Sequence, residues 1–506
     1  MPVILSGENL TLERLKAVAV GRERVEIPPE ALERVDRCRA MCEVKIKNRE
    51  VMYGVTTGIG EFSETVLTPE QTRDFQRYLI YSHAAGIGEP MPEPWVRAAM
   101  TGRINVLVHG NSGCRREVPE TMAAMLNAGV TPVVCTRGSV GASGDLSPMG
   151  QMALVAMGEG EAFYGGERLP GAEAMRRAGV PVIAYEARDG LASINGSNFI
   201  NGLGSLLLLE METWLKTQDV AAAMTLEVLN VNMSGYDERL HRVRGHGGSI
   251  TVAKNVRRLT EGSPLLMRPG KKVQDAYSLR STPQSAGPAR TALAHAREVF
   301  LTELNGVGDN PVFFPEDDEV VAGANFQGTP MALALEYASM GVVTAAVLAE
   351  RRINRLMNPA LSAGLPGFLT HGGGMFSGLM LAQYTAGAMI CECRVLSTPA
   401  AVGSIPAAAD QEDFVSMGWT TALKTRQIMD LVPGVLGIEI MAACQARDFR
   451  DTEFAPATKA VYGLVREHVA HLDEDRPLYA DNNEMAELVR SGAILAAAEG
   501  VIGPLD

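Results

Sequence analysis

The sequence predicts a mainly α fold: a central bundle of long helices within residues 111–506 and a smaller N-terminal globular region over 1–110. Three observations carry that expectation. After Asn195 the chain becomes a series of long apolar-periodic segments. Small residues (Ala, Gly, Ser) recur along them, which permits close helix approach. No alternating strand–helix rhythm runs through the chain, and no GxGxxG follows a strand, so nucleotide binding has no support.

The first 110 residues mix short helical patterns with loops such as "YGVTTGIGEF" and "SHAAGIGEPMPEP", rich in Gly, Pro and Thr. Ser147-Pro148 marks a helix start, with Met149, Met152, Ala153 and Ala156 following on one face. Long segments then run over Phe199 to Val231, Ala286 to Leu304, Met331 to Met357, Phe376 to Leu396 and Glu412 to Ala446. Thr329-Pro330 reads as an N-cap with Pro at the first helical position, and Asn358-Pro359 as the stop. Pro433 is expected to kink or break the last segment. The string "MALALEYASMGVVTAAVLAE" is apolar on most faces, so its helix must be buried in a bundle or an oligomer interface.

Composition narrows the function classes. The 506 residues are 46% hydrophobic and 21% charged, an ordinary globular balance, with net charge −13. Nucleic acid is excluded as a partner, because phosphates demand a basic surface. Seven cysteines, odd in number and scattered, read as reduced thiols of a cytoplasmic protein. Cys391-Glu392-Cys393 lacks metal-ligand spacing and a second pair, so no metal is expected. Charges come too early at the N-terminus for a signal peptide. The charge-free run from Leu356 to Cys391 is interrupted by Pro359, Pro366, His371 and three glycines, so it does not read as a membrane span.

The stretch "RGSVGASGDLSPMGQ", Arg137 to Gln151, places Ala142-Ser143-Gly144 just before a helix start, where backbone N–H groups are free and the dipole is positive. Alone the tripeptide is a small-residue turn. The longer string "GSVGASGDLSP" resembles the signature of the aromatic amino-acid ammonia-lyase family, which spans histidine, phenylalanine and tyrosine ammonia-lyases and related aminomutases, with histidine ammonia-lyases the nearest. Similar strings cover nearly the whole chain: "YGVTTGIG" with Tyr53, "SHAAGIGEP" with His83, "INGS" with Asn195, "VQDAYSLR" with Gln274, Tyr277 and Arg280, "NFQGTP" with Phe326, and "QEDFVSMG" with Glu412.

The resemblance implies a fumarase/aspartase-like architecture and a built-in electrophile, 4-methylidene-imidazol-5-one (MIO), formed when Ala142-Ser143-Gly144 cyclises and loses two waters, with no external cofactor. A backbone bends that sharply only where side chains are minimal. The implied reaction is loss of ammonia from an aromatic L-α-amino acid to give a trans-2,3-unsaturated acid. Tyr53 is implied as the base for the β-proton, which requires its phenol to be depressed by positive potential. Arg280 is implied to hold the substrate carboxylate through its bidentate fork. Asn195, Gln274 and Tyr277 are implied to hydrogen-bond the MIO, carboxylate or amine, and Phe326 to wall the pocket. Asp145 either assists cyclisation or caps the helix that follows it. The family also implies a homotetramer with active sites shared between subunits.

The accepted ring stays open at this level. Ser82-His83 and Glu412 resemble histidine lyases, and a carboxylate suits an imidazole N–H better than a benzene ring. "NFQGTP", "YGVTTG" and Ala276 in "DAYSLRSTPQ" lean toward phenylalanine or tyrosine enzymes, and a 2,3-aminomutase differs only by re-adding ammonia. L-histidine to trans-urocanate is the leading expectation. Two different classes compete. The "GSSxMPxKxNP" loop of fumarase and argininosuccinate lyase is absent. A non-catalytic helical assembly protein would be expected to lose Tyr53, Ser143 or Arg280, and all three stand.

Overall fold

The structure, a computed structural model, describes residues 1–506. Helices dominate it, and the strands form four small sheets of two or three strands each. Two compact units emerge. The first comprises Met1–Leu206, Ala296–Leu335 and Pro399–Leu423; the second comprises Leu207–His295, Glu336–Thr398 and Lys424–Asp506. The expected boundary near residue 110 is therefore drawn elsewhere. Four of the five chain crossings fall inside the long helices Asn198–Val228, Thr282–Leu304, Thr329–Met357 and Gly418–Asp448.

The second unit is a packing of long helices. A Cβ on Gly341 would stand 2.8 Å from Ala289 Cα, and one on Gly434 would stand 2.9 Å from Met389 Sδ, so small residues set the helix separation there. Buried charges inside it are neutralised in place. The Arg352 guanidinium donates to both oxygens of Glu439 at 2.5 and 2.8 Å, and Thr225 Oγ1 donates to the same carboxylate at 2.8 Å. Glu227 accepts from Ser263 Oγ, Thr458 Oγ1 and the Ala455 N–H, at 2.6, 2.6 and 2.7 Å. Burial still pushes the Glu227 carboxyl up to about 7. Thr329–Met357 and Gly418–Asp448 have the length and hydropathy of membrane spans, but most of each apolar window is buried within the protein. They are interior helices.

Helix limits follow local chemistry. The segment expected to reach Val231 ends at Val228, because Asn230 turns left-handed (φ +53°) and its N–H closes back onto the Glu227 carbonyl. The segment expected from Phe376 begins at Met380, because the Asp475 carboxylate takes the Ser377 and Gly378 N–H groups at 2.7 and 2.9 Å. The last long helix begins at Gly418 rather than Glu412, with Ser416 Oγ accepting the Gly418 N–H, and runs unbroken past Pro433.

In the first unit, a buried three-charge cluster sets the ground for the site. Asp309 lies between Arg103 and Arg188, at 3.1 and 2.8 Å, and all three are fully buried. Arg103 also donates to the Ala192 and Gly308 carbonyls, and Arg188 to those of Ser112, Asn310 and Pro311. Their many donors pin residues 188–196 against 308–311. The helix Pro69–His83 opens with a capping box, Thr68 and Gln71 each holding the other's backbone N–H, and Pro69 at its first position.

Candidate active site

The helix Leu146–Ala156 starts directly after the small-residue loop. Residues 141 and 144 bridge each other across a tight turn, and Gly144 bridges on to Gly196. Ser143 is left-handed at φ +50° and Gly144 at +80°. No side chain fits at 144: a Cβ there would lie 2.2 Å from the Gly196 carbonyl carbon. Gly141 is equally confined, its Cβ position standing 2.0 Å from Ser416 Oγ. The turn is tied at both ends. Gly196 N–H donates to the Ser143 carbonyl at 3.2 Å, Asp145 N–H to the Gly196 carbonyl at 2.9 Å, and Met417 N–H to the Val140 carbonyl at 3.0 Å.

Asp145 departs from its expected helix-capping role. Its carboxylate makes no bond to the helix it precedes. It accepts instead from Ser139 Oγ at 2.8 Å and from the Ile200 N–H at 2.9 Å, so it caps the start of Asn198–Val228. Full burial pushes its carboxyl up to about 6, against the lowering effect of those bonds.

A cavity of about 430 Å³ opens in the first unit over this turn. Tyr53, His83, Ser143, Asn195 and Glu412 line it, with Leu146 and Leu191 as apolar wall. Ser143 Oγ donates to Glu412 Oε1 at 3.3 Å. Tyr53 stands on a turn that needs Gly54 in the left-handed region, where a Cβ would strike Leu191 at 2.2 Å. Its hydroxyl accepts the Gly60 N–H at 3.2 Å. His83 closes its helix, and its Nδ1–H donates to the Leu79 carbonyl at 2.8 Å, which leaves Nε2 as an acceptor. Burial lowers the His83 pKa, which favours the neutral ring. Asn195 donates to the Asn310 carbonyl at 3.0 Å, while its buried Oδ1 has no partner.

The electrostatics at Tyr53 run opposite to expectation. Burial raises the phenol, and the Glu412 charge raises it further; Gly60 N–H and Arg188 lower it less. Glu412 is itself raised by burial and lowered by Ser143. No group of three His, Cys, Asp or Glu side chains is placed to hold a metal ion.

Four expected site residues lie elsewhere. Phe326 does not line the cavity within this chain; its carbonyl accepts from Ser197 Oγ at 2.7 Å. Gln274, Tyr277 and Arg280 belong to the second unit and are not brought into the cavity. Tyr277 is 72% exposed, with the Arg280 guanidinium 4.7 Å from its ring centroid. Arg280 Nε donates to the Asp275 carbonyl at 2.8 Å. Lining residues that the sequence reading missed include Ile59, Gly60, Phe62, Ala408 and Ala409. Ile59 and Gly60 close the Tyr53 string "YGVTTGIG" itself, and Phe62 stands two residues beyond it. Ala408 and Ala409 carry no chemical signal, and both are left-handed in the turn before Glu412.

The aromatic amino acid lyase family is matched over residues 10–467. The histidine ammonia-lyase of Symbiobacterium thermophilum is 48% identical over 508 residues, all of both chains. That of Alkaliphilus metalliredigens is 45% identical over 99% of each. Among solved structures, a tyrosine aminomutase from Streptomyces globisporus superposes with TM-score 0.95 at 35% identity, covering all of both chains. A histidine ammonia-lyase from Trypanosoma cruzi superposes with TM-score 0.91 at 36% identity, covering 99% of this chain and 95% of that one.

Proposed function

The chain belongs to the aromatic amino acid lyase family, and from that premise we propose that it eliminates ammonia from L-histidine to give trans-urocanate, as a carbon–nitrogen lyase. The observation that carries the choice of ring is Glu412, a carboxylate inside the cavity 3.3 Å from Ser143. A benzene ring offers it nothing, whereas an imidazole N–H satisfies it. The curated relatives that are histidine ammonia-lyases, up to 48% identical over the full length, support the same choice.

The residues at 142–144 fit the MIO group: the turn is tied at both ends, excludes a side chain at 144, and leaves Ser143 facing the cavity. Once formed there, the group supplies an electrophile for the substrate amine. The remaining work falls to side chains. Tyr53 removes the β-proton through the oxygen that accepts the Gly60 N–H, a bond that favours phenolate. A substrate N–H on Glu412 offsets the carboxylate charge that otherwise raises the phenol. The unpartnered Asn195 Oδ1 accepts from the substrate's amine side, and neutral His83 offers Nε2 to a substrate donor.

Arg280, Tyr277 and Gln274 act on a neighbouring subunit's site in a homotetramer, where Arg280 holds the carboxylate. The exposure of Tyr277 and the absence of an acidic partner on Arg280 support this role in trans. The protein works in the cytoplasm without an external cofactor, a reading supported by its unpaired cysteines and acidic balance. The test offers histidine, phenylalanine and tyrosine separately, recording ammonia release and new ultraviolet absorbance. Preference for histidine is expected; preference for tyrosine, or recovery of a β-amino acid, contradicts the reading.

A further inference from the structure

A second cavity, of about 740 Å³, lies wholly within the first unit and shares the Tyr53 segment with the active site. Thr56, Val66 and Leu67 line it, while Tyr53, Ile59 and Gly60 line the other. Its wall is mostly apolar, through Ile46 at the end of the helix Pro29–Lys47 and Val66, Leu67 and Pro69 before and at the start of Pro69–His83. Such a volume and lining suit a small organic molecule.

Its charge is lopsided. Both of its carboxylates, Glu43 and Glu186, already pair with the buried Arg39, at 2.9 and 3.7 Å. Lys47, Arg49 and Arg73 line the same cavity, and none forms an ion pair; Glu70 only feels the fields of the two arginines. On a chain with net charge −13, three unpaired cations around an apolar hollow are complementary to an anionic head on an apolar body.

The wall is also wired to Tyr53. Leu67 N–H donates to the Thr56 carbonyl at 2.9 Å. Thr56 Oγ1 accepts the Met52 N–H at 2.8 Å and donates to the Glu50 carbonyl at 2.7 Å. Met52 and Val55 pack in one buried apolar cluster with Cys42 and Phe313, against which Ile46 rests. Residues 52–57, which carry Tyr53, are thus held by groups that face the second cavity.

We propose that this cavity binds a small amphipathic carboxylate, its body against Ile46, Val66 and Leu67 and its head at Lys47, Arg49 and Arg73, and that occupancy is felt at Tyr53. Only the coupling rests on the role given to Tyr53 above; binding is independent of it. The probe is indole-3-propionate, titrated calorimetrically into the Ser143→Ala chain saturated with L-histidine, so that the active site is filled and idle. Indole-3-propionamide and inorganic phosphate serve as body-only and head-only controls. Saturable binding is expected, weakened at least about tenfold by Arg49→Gln, by Arg73→Gln and by the amide. In the unsubstituted enzyme, saturating probe is expected to change kcat at least about twofold at saturating substrate, an effect lost in Arg73→Gln. Both arginines are exposed, so neither change threatens the fold. No binding at millimolar probe, binding indifferent to both arginines, or phosphate binding as tightly as the probe overturns the site. Binding that leaves kcat unchanged overturns the coupling.

Discussion

Replacing Glu412 by Gln removes one charge and keeps the shape, which isolates the argument for the imidazole ring. Glu412 is half-buried in the cavity, and its carboxylate accepts from Ser143 Oγ at 3.3 Å. A hydrogen bond to a charged acceptor contributes about 1.5–3 kcal/mol and one to a neutral amide about 0.5–1.5 kcal/mol. The difference, about 1–2 kcal/mol, lowers kcat/KM for histidine roughly 5- to 30-fold. Phenylalanine has no donor to lose, so its kcat/KM is expected to hold or rise. A second readout is independent of the ring. The Glu412 charge raises the Tyr53 phenol, and the role proposed for Tyr53 as base requires its deprotonated form. The acid-side limb of kcat/KM against pH is therefore expected to move to lower pH in Glu412→Gln. Stopped assays with each amino acid across pH, on protein whose mass shows intact processing at 142–144, measure both effects. Equal losses for the two substrates, with the limb unmoved, contradict the role given to Glu412.

Three further outcomes test the supporting structure. Gly144→Ala forces a Cβ to 2.2 Å from the Gly196 carbonyl carbon at φ +80°, so a destabilisation of about 3 kcal/mol or more is expected by denaturant titration, with no dehydration of the loop. Glu227 is raised from 4.5 to about 7, so the folded state holds a proton the unfolded chain has released. Its stability contribution is complete below about pH 4.5 and lost as pH rises through 7, and Glu227→Gln is expected to flatten melting temperature over that window. Arg352→Met leaves Glu439 buried and unpaired, costing about 3–5 kcal/mol, and adding Glu439→Leu is expected to recover more than half in the same titration.

Much of this fold was legible because its helix ends carry chemistry. Thr329-Pro330 and Asn358-Pro359 bracket a helix that ends at Met357 as expected and starts at Thr329, one residue before the expected first helical position. The misplacements have physical causes outside local pattern. Apolar periodicity continues into Val231 because that residue is buried, yet Asn230 has already turned the backbone. Asp475, nearly a hundred residues away, stops the helix at Met380 from starting earlier. Pro433 removes one backbone bond, and the buried residues 432–446 around and after it hold the helix continuous through that position. In the site, Tyr53, His83, Ser143, Asn195 and Glu412 converge from five separate stretches, and the motif strings located all five. Phe326 shows the limit, since a motif names a residue without placing it against the cavity of its own chain. Asp145 shows another: adjacency suggested its own helix, while three-dimensional packing delivers its carboxylate to Ile200.

The proposed elimination requires Ala142-Ser143-Gly144 to become an electrophile, and intact-mass and peptide-mass spectrometry of the active protein reads that directly. The chain is expected to be lighter by two waters, the deficit localised to the peptide carrying residues 142–144. Ser143→Ala is expected to have its full unmodified mass and little activity. A fully active chain with all its waters retained at those residues contradicts that requirement.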